Sequence, residues 1–207
     1  MNRQRLRKLY SEIEYSRRLV QGIDTQSQLS GIDEFKFRGF IVLSHAALEK
    51  FFESWSYSLA LEANSFLTKQ RALSFCGVSL INYYKAQLAT DFPFQSSAGY
   101  AYRSTRFSVN ACINLHKQAI ENNNGIRESN INRILVPLGV SAANFDSLLP
   151  IFLEGLADKR GPVAHGSGIQ TVLTISDYES DLFNLIKIVE RFHSASTKLC
   201  RKVVQTF

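Results

Sequence analysis

Arg160 and His165 stand five positions apart in a polar, glycine-punctuated stretch, Asp158-Lys159-Arg160-Gly161-Pro162-Val163-Ala164-His165-Gly166. Arginine brings a permanent charge on a planar fork of donors. Histidine exchanges a proton near neutral pH. RNA carries its own nucleophile, the 2′-hydroxyl beside each phosphate. A metal-free cut needs a base for that proton and a cation for the charge growing on the phosphorus oxygens. His165 suits the first task and Arg160 the second. The expected products are a 2′,3′-cyclic phosphate and a 5′-hydroxyl, and DNA, lacking that hydroxyl, is expected to bind without being cut.

Spacing decides how the pair can cooperate. On an unbroken helix five residues turn the chain so that the two side chains diverge by roughly 140°. Pro162 intervenes, and the residue before a proline is pushed out of the helical region. The sequence therefore predicts a helix ending near Arg160, a break at Gly161-Pro162, and a turn closed by Gly166. Such a corner can aim both side chains into one crevice, with Gly166 and Gly168 leaving room for a close backbone approach. Spacing alone is a weak signal: about one Arg–His pair at four to six intervening residues arises by chance in such a chain. Arg38 and His45 form a second such pair.

The elements that must position the motif are helical. The corner falls between two apolar-periodic segments, Asn144–Ala157 and Asp177–Val204. Residues 3–21 repeat Leu6, Tyr10, Ile13, Arg17 and Val20 at helical spacing, with six basic residues against Glu12 and Glu14. Gly22 to Gly31 is a polar connector. Residues 33–63 are expected to form the longest helix, starting at Asp33. Its broad stripe of Phe37, Phe40, Ile41, Leu48, Phe51, Phe52, Trp55 and Leu59 implies burial against more than one neighbour.

Arg38 and His45, seven apart on that helix, lie nearly on one face, with Glu49 one turn after His45. They read either as a substrate-facing strip opposite Arg160 and His165 or as a surface ion pair with a satisfied histidine. Lys159 is a further candidate substrate contact. His45, Glu49 and a distant His116 lack a telling metal-ligand spacing, so no metal is expected, and no cofactor.

Short helices are expected at 65–76 and 78–89, then a loop over Thr90–Gly99. Tyr100 to Phe107 interleaves aromatics with Arg103 and Arg106. That pattern can stack bases and hold phosphates, or begin a helix that buries Tyr102 and Phe107; residues 105–121 read as helical. Asn122-Asn123-Asn124-Gly125 ends it. Ser129–Val136 reads as a short helix stopped by Pro137 and Gly139, and Ser141–Ala157 as the helix leading into the motif. Ile169–Ile175 reads as extended. Ser176 with Glu179 gives a capping signature for a final helix reaching Val203. No strand-rich region is evident, so an all-α bundle is the natural fold.

Arg-Gly-Pro-Val-Ala-His, ending a helix and followed by one last long helix, resembles the R-x(4–6)-H motif of the HEPN superfamily, most closely the RiboL-PSP-type subgroup. Ser44-His45-Ala46-Ala47-Leu48-Glu49-Lys50-Phe51-Phe52 is similar to that family's long second helix. The resemblance implies an all-α, HEPN-like bundle with long second and C-terminal helices, as a single domain over 1–207. Residues 64–125 would be a family-variable insertion. It implies Arg160 and His165 as catalytic residues and a metal-independent endoribonuclease acting as a toxin or anti-phage effector. It also implies two copies meeting across a two-fold axis, with an antitoxin or other operon-encoded protein as partner. The residue after the arginine, often polar in that family, is Gly161 here. That favours the alternative, a non-catalytic helical module binding a protein partner or nucleotide.

Composition sets the outer bounds. The chain has 207 residues, 45% hydrophobic, with a net charge of +6, a pI near 9.3 and a mean hydropathy of −0.09. One full core fits that length. The charge favours an acidic partner such as RNA; duplex DNA binding would rest on charge alone. Cys76, Cys112 and Cys200 form neither a zinc knuckle nor a disulfide framework, so a reducing cytoplasm is expected. No apolar run follows the basic N-terminus or approaches membrane-spanning length. Phosphate-cradling, dinucleotide-binding and H-E-x-x-H motifs are absent.

Overall fold

Ser30 starts the element around which the protein is built. Its Oγ accepts from the Asp33 backbone N–H at 3.2 Å and caps α2 (Gly31–Gln70). Asp33 and Glu34 follow in the first turn, where carboxylates suit the positive end of the helix. Asp33 is thus inside the helix and not its start. At 40 residues α2 runs beyond the 33–63 expected, and stops where Arg71 turns left-handed. The computed structural model describes residues 2–23, 29–88, 98–143, 145–164 and 173–206.

Among the described residues, the other helices are α1 (Asn2–Arg17), α3 (Phe75–Tyr84), α4 (Ala98–Glu121), α5 (Glu128–Leu135), α6 (Leu148–Ala164) and α7 (Ile175–Cys200). Short 3₁₀ turns extend α1, α3 and α5. Helices α1, α3, α4, α5 and α6 all pack against α2, and α7 closes over α2 and α6. This explains the breadth of the α2 stripe: Phe37, Phe40, Ile41, Leu48, Phe51, Phe52, Trp55 and Leu59 are all buried. Trp55 meets Phe192 of α7 edge-on at 5.4 Å, and its Nε1 donates to Thr197 Oγ1 at 3.2 Å. Tyr178 places its ring edge-on to Phe40 at 5.3 Å. The architecture is the all-α bundle expected, with a long second helix and a long final helix.

Several local expectations need correction. The segment expected as a helix over 65–76 is instead the end of α2 and a strand, β1 (Ala72–Ser74). It pairs antiparallel with β2 (Val203–Thr206), Ala72 facing Thr206 and Ser74 facing Val203. Val203 is therefore on a strand and not on the last helix. Single strands this short carry too little alternation to be read locally. The helix into the motif begins at Leu148, not Ser141, and Phe145 precedes it. Thr174, not Ser176, caps α7: its Oγ1 accepts from the Asp177 N–H at 3.0 Å. Tyr102 is partly buried in α4 while Phe107 is exposed. Residues 89–97, most of the expected Thr90–Gly99 loop, lie outside the described residues, as do 24–28 and 165–172.

Gly139 closes the turn after Pro137 as the sequence suggests. Its φ is +79°, and an added Cβ would run into the Phe75 ring and Ser79 of α3. Glycine is required there twice over, by conformation and by space.

Candidate functional site: Arg160 and the buried His45

Arg160 lies near the end of α6, and the helix does not break beside it. It continues through Gly161 and Pro162 to Ala164, against the expected end at Arg160. The restriction before proline acts largely through the preceding Cβ. Gly161 has none, so the chain stays helical through the proline. His165 lies outside the described residues, as do Gly166 and Gly168.

Arg160 is half-buried, and its Nε is fully buried with no hydrogen-bond partner among the described residues. Asp158, two residues before it, is engaged elsewhere: it accepts from Arg127 at 2.6 Å. Arg127 also pairs with Glu154, and the Glu128 N–H donates to Glu154 at 3.0 Å. The N-terminus of α5 is thereby clipped to α6. Lys159 pairs with Asp181, tying α6 to α7.

His45 faces this cluster from α2. Its side chain is 3% exposed, so it is no surface histidine. Burial, then the positive charges of Arg160 and Arg127, push its pKa down to about 4. It is neutral near pH 7. Glu49, one turn on, does not pair with it: its Oε1 accepts the Gly125 backbone N–H. Gly125 closes over the His45 ring in a left-handed conformation, φ +112°. Asn123 fixes that loop by donating to Glu53 at 3.0 Å and to the Gly125 carbonyl at 3.2 Å.

Arg38 shares a helix with His45 but not its surroundings. It donates to Glu34 on the same helix, Nε at 3.1 Å, and its guanidinium lies 5.6 Å from the Phe35 ring centroid. His116, the third residue of the weak metal constellation, is held separately. Its Nε2 bonds Ser56 Oγ at 2.8 Å and its Nδ1 bonds Tyr84 Oη at 3.1 Å. No cluster of three His, Cys, Asp or Glu side chains occurs among the described residues.

The structure thus brings Arg160 and His45 together, leaves Lys159 and Arg38 in ion pairs nearby on their helices, and adds Arg127. Sequence reasoning missed Arg127. Its partners stand 27 and 31 residues away, and no local pattern marks it. The arrangement offers a half-buried guanidinium with a free N–H, beside a neutral imidazole and a second cation. Such a set holds an oxyanion through charged hydrogen bonds.

No curated protein and no solved structure matches the chain. The family model described as RiboL-PSP-HEPN matches residues 5–198, a span holding α2 to α6 whole and nearly all of α7. The chain belongs to the RiboL-PSP-type HEPN family.

Proposed function

We propose that this protein is a metal-independent endoribonuclease, acting in the cytoplasm as a toxin or anti-phage effector. One observation carries the reading: within a HEPN family member, the arginine of the R-x(4–6)-H motif keeps a buried N–H that has no partner among the described residues. Buried donors are normally satisfied, and a phosphate oxygen would satisfy this one. His165 takes the proton from the 2′-hydroxyl of the bound strand. The resulting oxyanion attacks the adjacent phosphorus, the bond from phosphorus to O5′ breaks, and the leaving oxygen gains a proton to become a 5′-hydroxyl. Arg160 holds the non-bridging oxygens as their charge grows. Lys159 and Arg38 exchange their carboxylate partners for phosphates along the strand, and His45 forms a neutral wall behind Arg160.

One arginine and one histidine make a sparse site, so two copies about a two-fold axis complete it. Ile32, Phe35 and Leu43 support this: all are exposed and lie within an arc of about 80° on α2. A protein encoded alongside would restrain the toxin. Among the described residues no helix is long and apolar enough to cross a membrane.

The test is incubation with single-stranded RNA in EDTA, beside Arg160→Ala and His165→Ala. Wild type should yield 2′,3′-cyclic phosphate ends, and each variant should lose at least about 10² in rate. Cleavage undiminished in the variants, or dependent on added metal, defeats the proposal. Gly161 favours a second reading, a non-catalytic module that binds a protein or nucleotide. Intact RNA after incubation with wild type, together with a stable complex with a neighbouring gene's product, would establish it.

A further inference from the structure

One face of α4 is exposed and nearly free of negative charge. Arg103, Arg106, Phe107, Asn110, Asn114 and Lys117 are all exposed and lie within an arc of about 100°. Val109, Cys112 and Ile113 are buried on the other side. From Arg103 to Lys117 the stripe runs about 21 Å. Its three cations stand against Glu121, the one carboxylate of the helix, which leaves a charge of +2 (three minus one). Lys117 pairs with Glu121 at 3.5 Å, both side chains being more than half exposed. Arg103 and Arg106 pair with no carboxylate among the described residues, and Arg103 Nε donates to the Gly99 carbonyl at 3.3 Å.

Phe107 makes this more than a solvated basic face. It stands among the arginines and amides with 59% of its surface exposed. An aromatic ring set among cations suits a single strand: a base stacks on the ring while the cations track the phosphates. The two amides can hydrogen-bond base edges. A duplex keeps its bases stacked on one another and offers such a ring no open face. The stripe also leads somewhere. α4 ends at Glu121, and the Asn122 carbonyl accepts from Arg133 Nη2 at 2.6 Å. The loop that follows brings Gly125 against the His45 ring. The exposed Arg133 and Arg127 continue the positive charge toward the Arg160 site.

We propose that this face of α4 binds single-stranded RNA and delivers it to Arg160, with a base stacked on Phe107 and phosphates held by Arg103, Arg106 and Lys117. The inference deepens the ribonuclease reading and rests on it for the choice of RNA. The length of the stripe suits about four nucleotides, the small end for single-strand sites.

Fluorescence anisotropy with a labelled oligoadenylate tests it, in EDTA and on a His165→Ala background so that the strand stays whole. In that background Phe107→Ala should weaken binding at least about fivefold and leave its salt dependence unchanged. Arg106→Gln should weaken it too, and reduce the slope of log K against log salt by roughly 0.7. Both positions are exposed, so melting midpoints should hold. Arg191→Gln removes an exposed cation of α7 and should change affinity less than about twofold. The single strand should bind more tightly than a duplex of the same length. The proposal is overturned if Phe107→Ala binds like its parent, if the duplex binds as tightly, or if Arg191→Gln costs as much as Arg106→Gln. Displacement by polyglutamate at matched charge would make the face a dock for acidic protein, and overturns it as well. A wild type that shows these binding losses on substitution but leaves RNA uncut refutes the nuclease reading alone. Cutting by wild type, with binding untouched by Phe107→Ala and Arg106→Gln, refutes the stripe alone.

Discussion

Arg160 on α6 lies beside the buried ring of His45 on α2, and its charge is the largest reason after burial that the ring stays neutral. The relationship is reciprocal. A protonated His45 would repel the guanidinium that the proposed chemistry requires. Arg160→Met should therefore let the His45 pKa climb from about 4 toward the usual histidine value. Burial remains, so the recovery should be partial. An NMR titration of the ring carbons measures it; an unmoved pKa would place Arg160 too far away to matter.

Three buried histidines make stability fall in acid. His45, His116 and His193 each have a pKa held at about 4 by burial. Their unfolded value is about 6.5. Between those values the unfolded chain binds more protons than the native one, so stability drops as pH falls through that window. Above about 6.5 both states are neutral and the contribution is complete. For His116, which is fully buried, the loss is on the order of 3 kcal/mol by pH 4. Urea melts between pH 7.5 and 4.5 should show a falling midpoint, with a shallower slope in His116→Gln. A flat profile would mean the rings are hydrated.

Arg127 should matter more for RNA than for folding. Its pairs with Glu154 and Asp158 are largely exposed, and such bridges contribute at most about 1 kcal/mol each. Its charge nevertheless reaches His45 and hence the Arg160 site. Arg127→Gln should leave the melting midpoint nearly unchanged. It should weaken RNA binding and reduce the slope of log K against log salt by roughly 0.7. A large loss of stability with an unchanged salt slope would make Arg127 a structural clip only.

The fold was legible where hydrophobic periodicity is long, and lost where structure depends on distant partners. The α2 stripe could be read from Phe37 to Leu59 because each residue is buried on one continuous element. Ser30 was passed over because Asp33 is an equally good cap by type, and only the backbone decides between them. The strand Ala72–Ser74 exists because Val203–Thr206 pairs with it across more than a hundred residues, which no local window contains. At the site, Arg160 was found through its motif and His45 through its helix. The proximity of the two, and the clip made by Arg127, come from packing α6 on α2. The break at Gly161-Pro162 was misjudged because glycine removes the Cβ on which the rule depends.

Gly161 itself gives a test of the departure from the usual polar residue. An added Cβ there meets nothing within 4 Å, so Gly161→Asn has room. Its cost comes from Pro162, since an Asn Cβ restores the clash before proline, and should stay near 1 kcal/mol. If the missing polar group limits the site, Gly161→Asn should cleave RNA faster than wild type while Gly161→Ala does not. Equal rates in all three would show that the position is indifferent to chemistry.

The proposed dimer implies a face that can be tested alone. Phe35 is 72% exposed and Ile32 69% exposed, both on the first turns of α2. Exposed apolar side chains arranged in a stripe mark contact surfaces more often than scattered ones do. A charge placed in the middle of a two-fold interface acts twice, once from each copy, and stays unpaired in both. Phe35→Asp should therefore convert a dimer to monomer by light scattering at micromolar concentration. Phe35 is largely exposed, so replacing it opens no cavity in the core, and unfolding of the monomer should remain cooperative. On the proposed reading, in which each site is completed by the partner copy, cleavage should fall with dimer content. An active monomer would show that one copy carries a complete site.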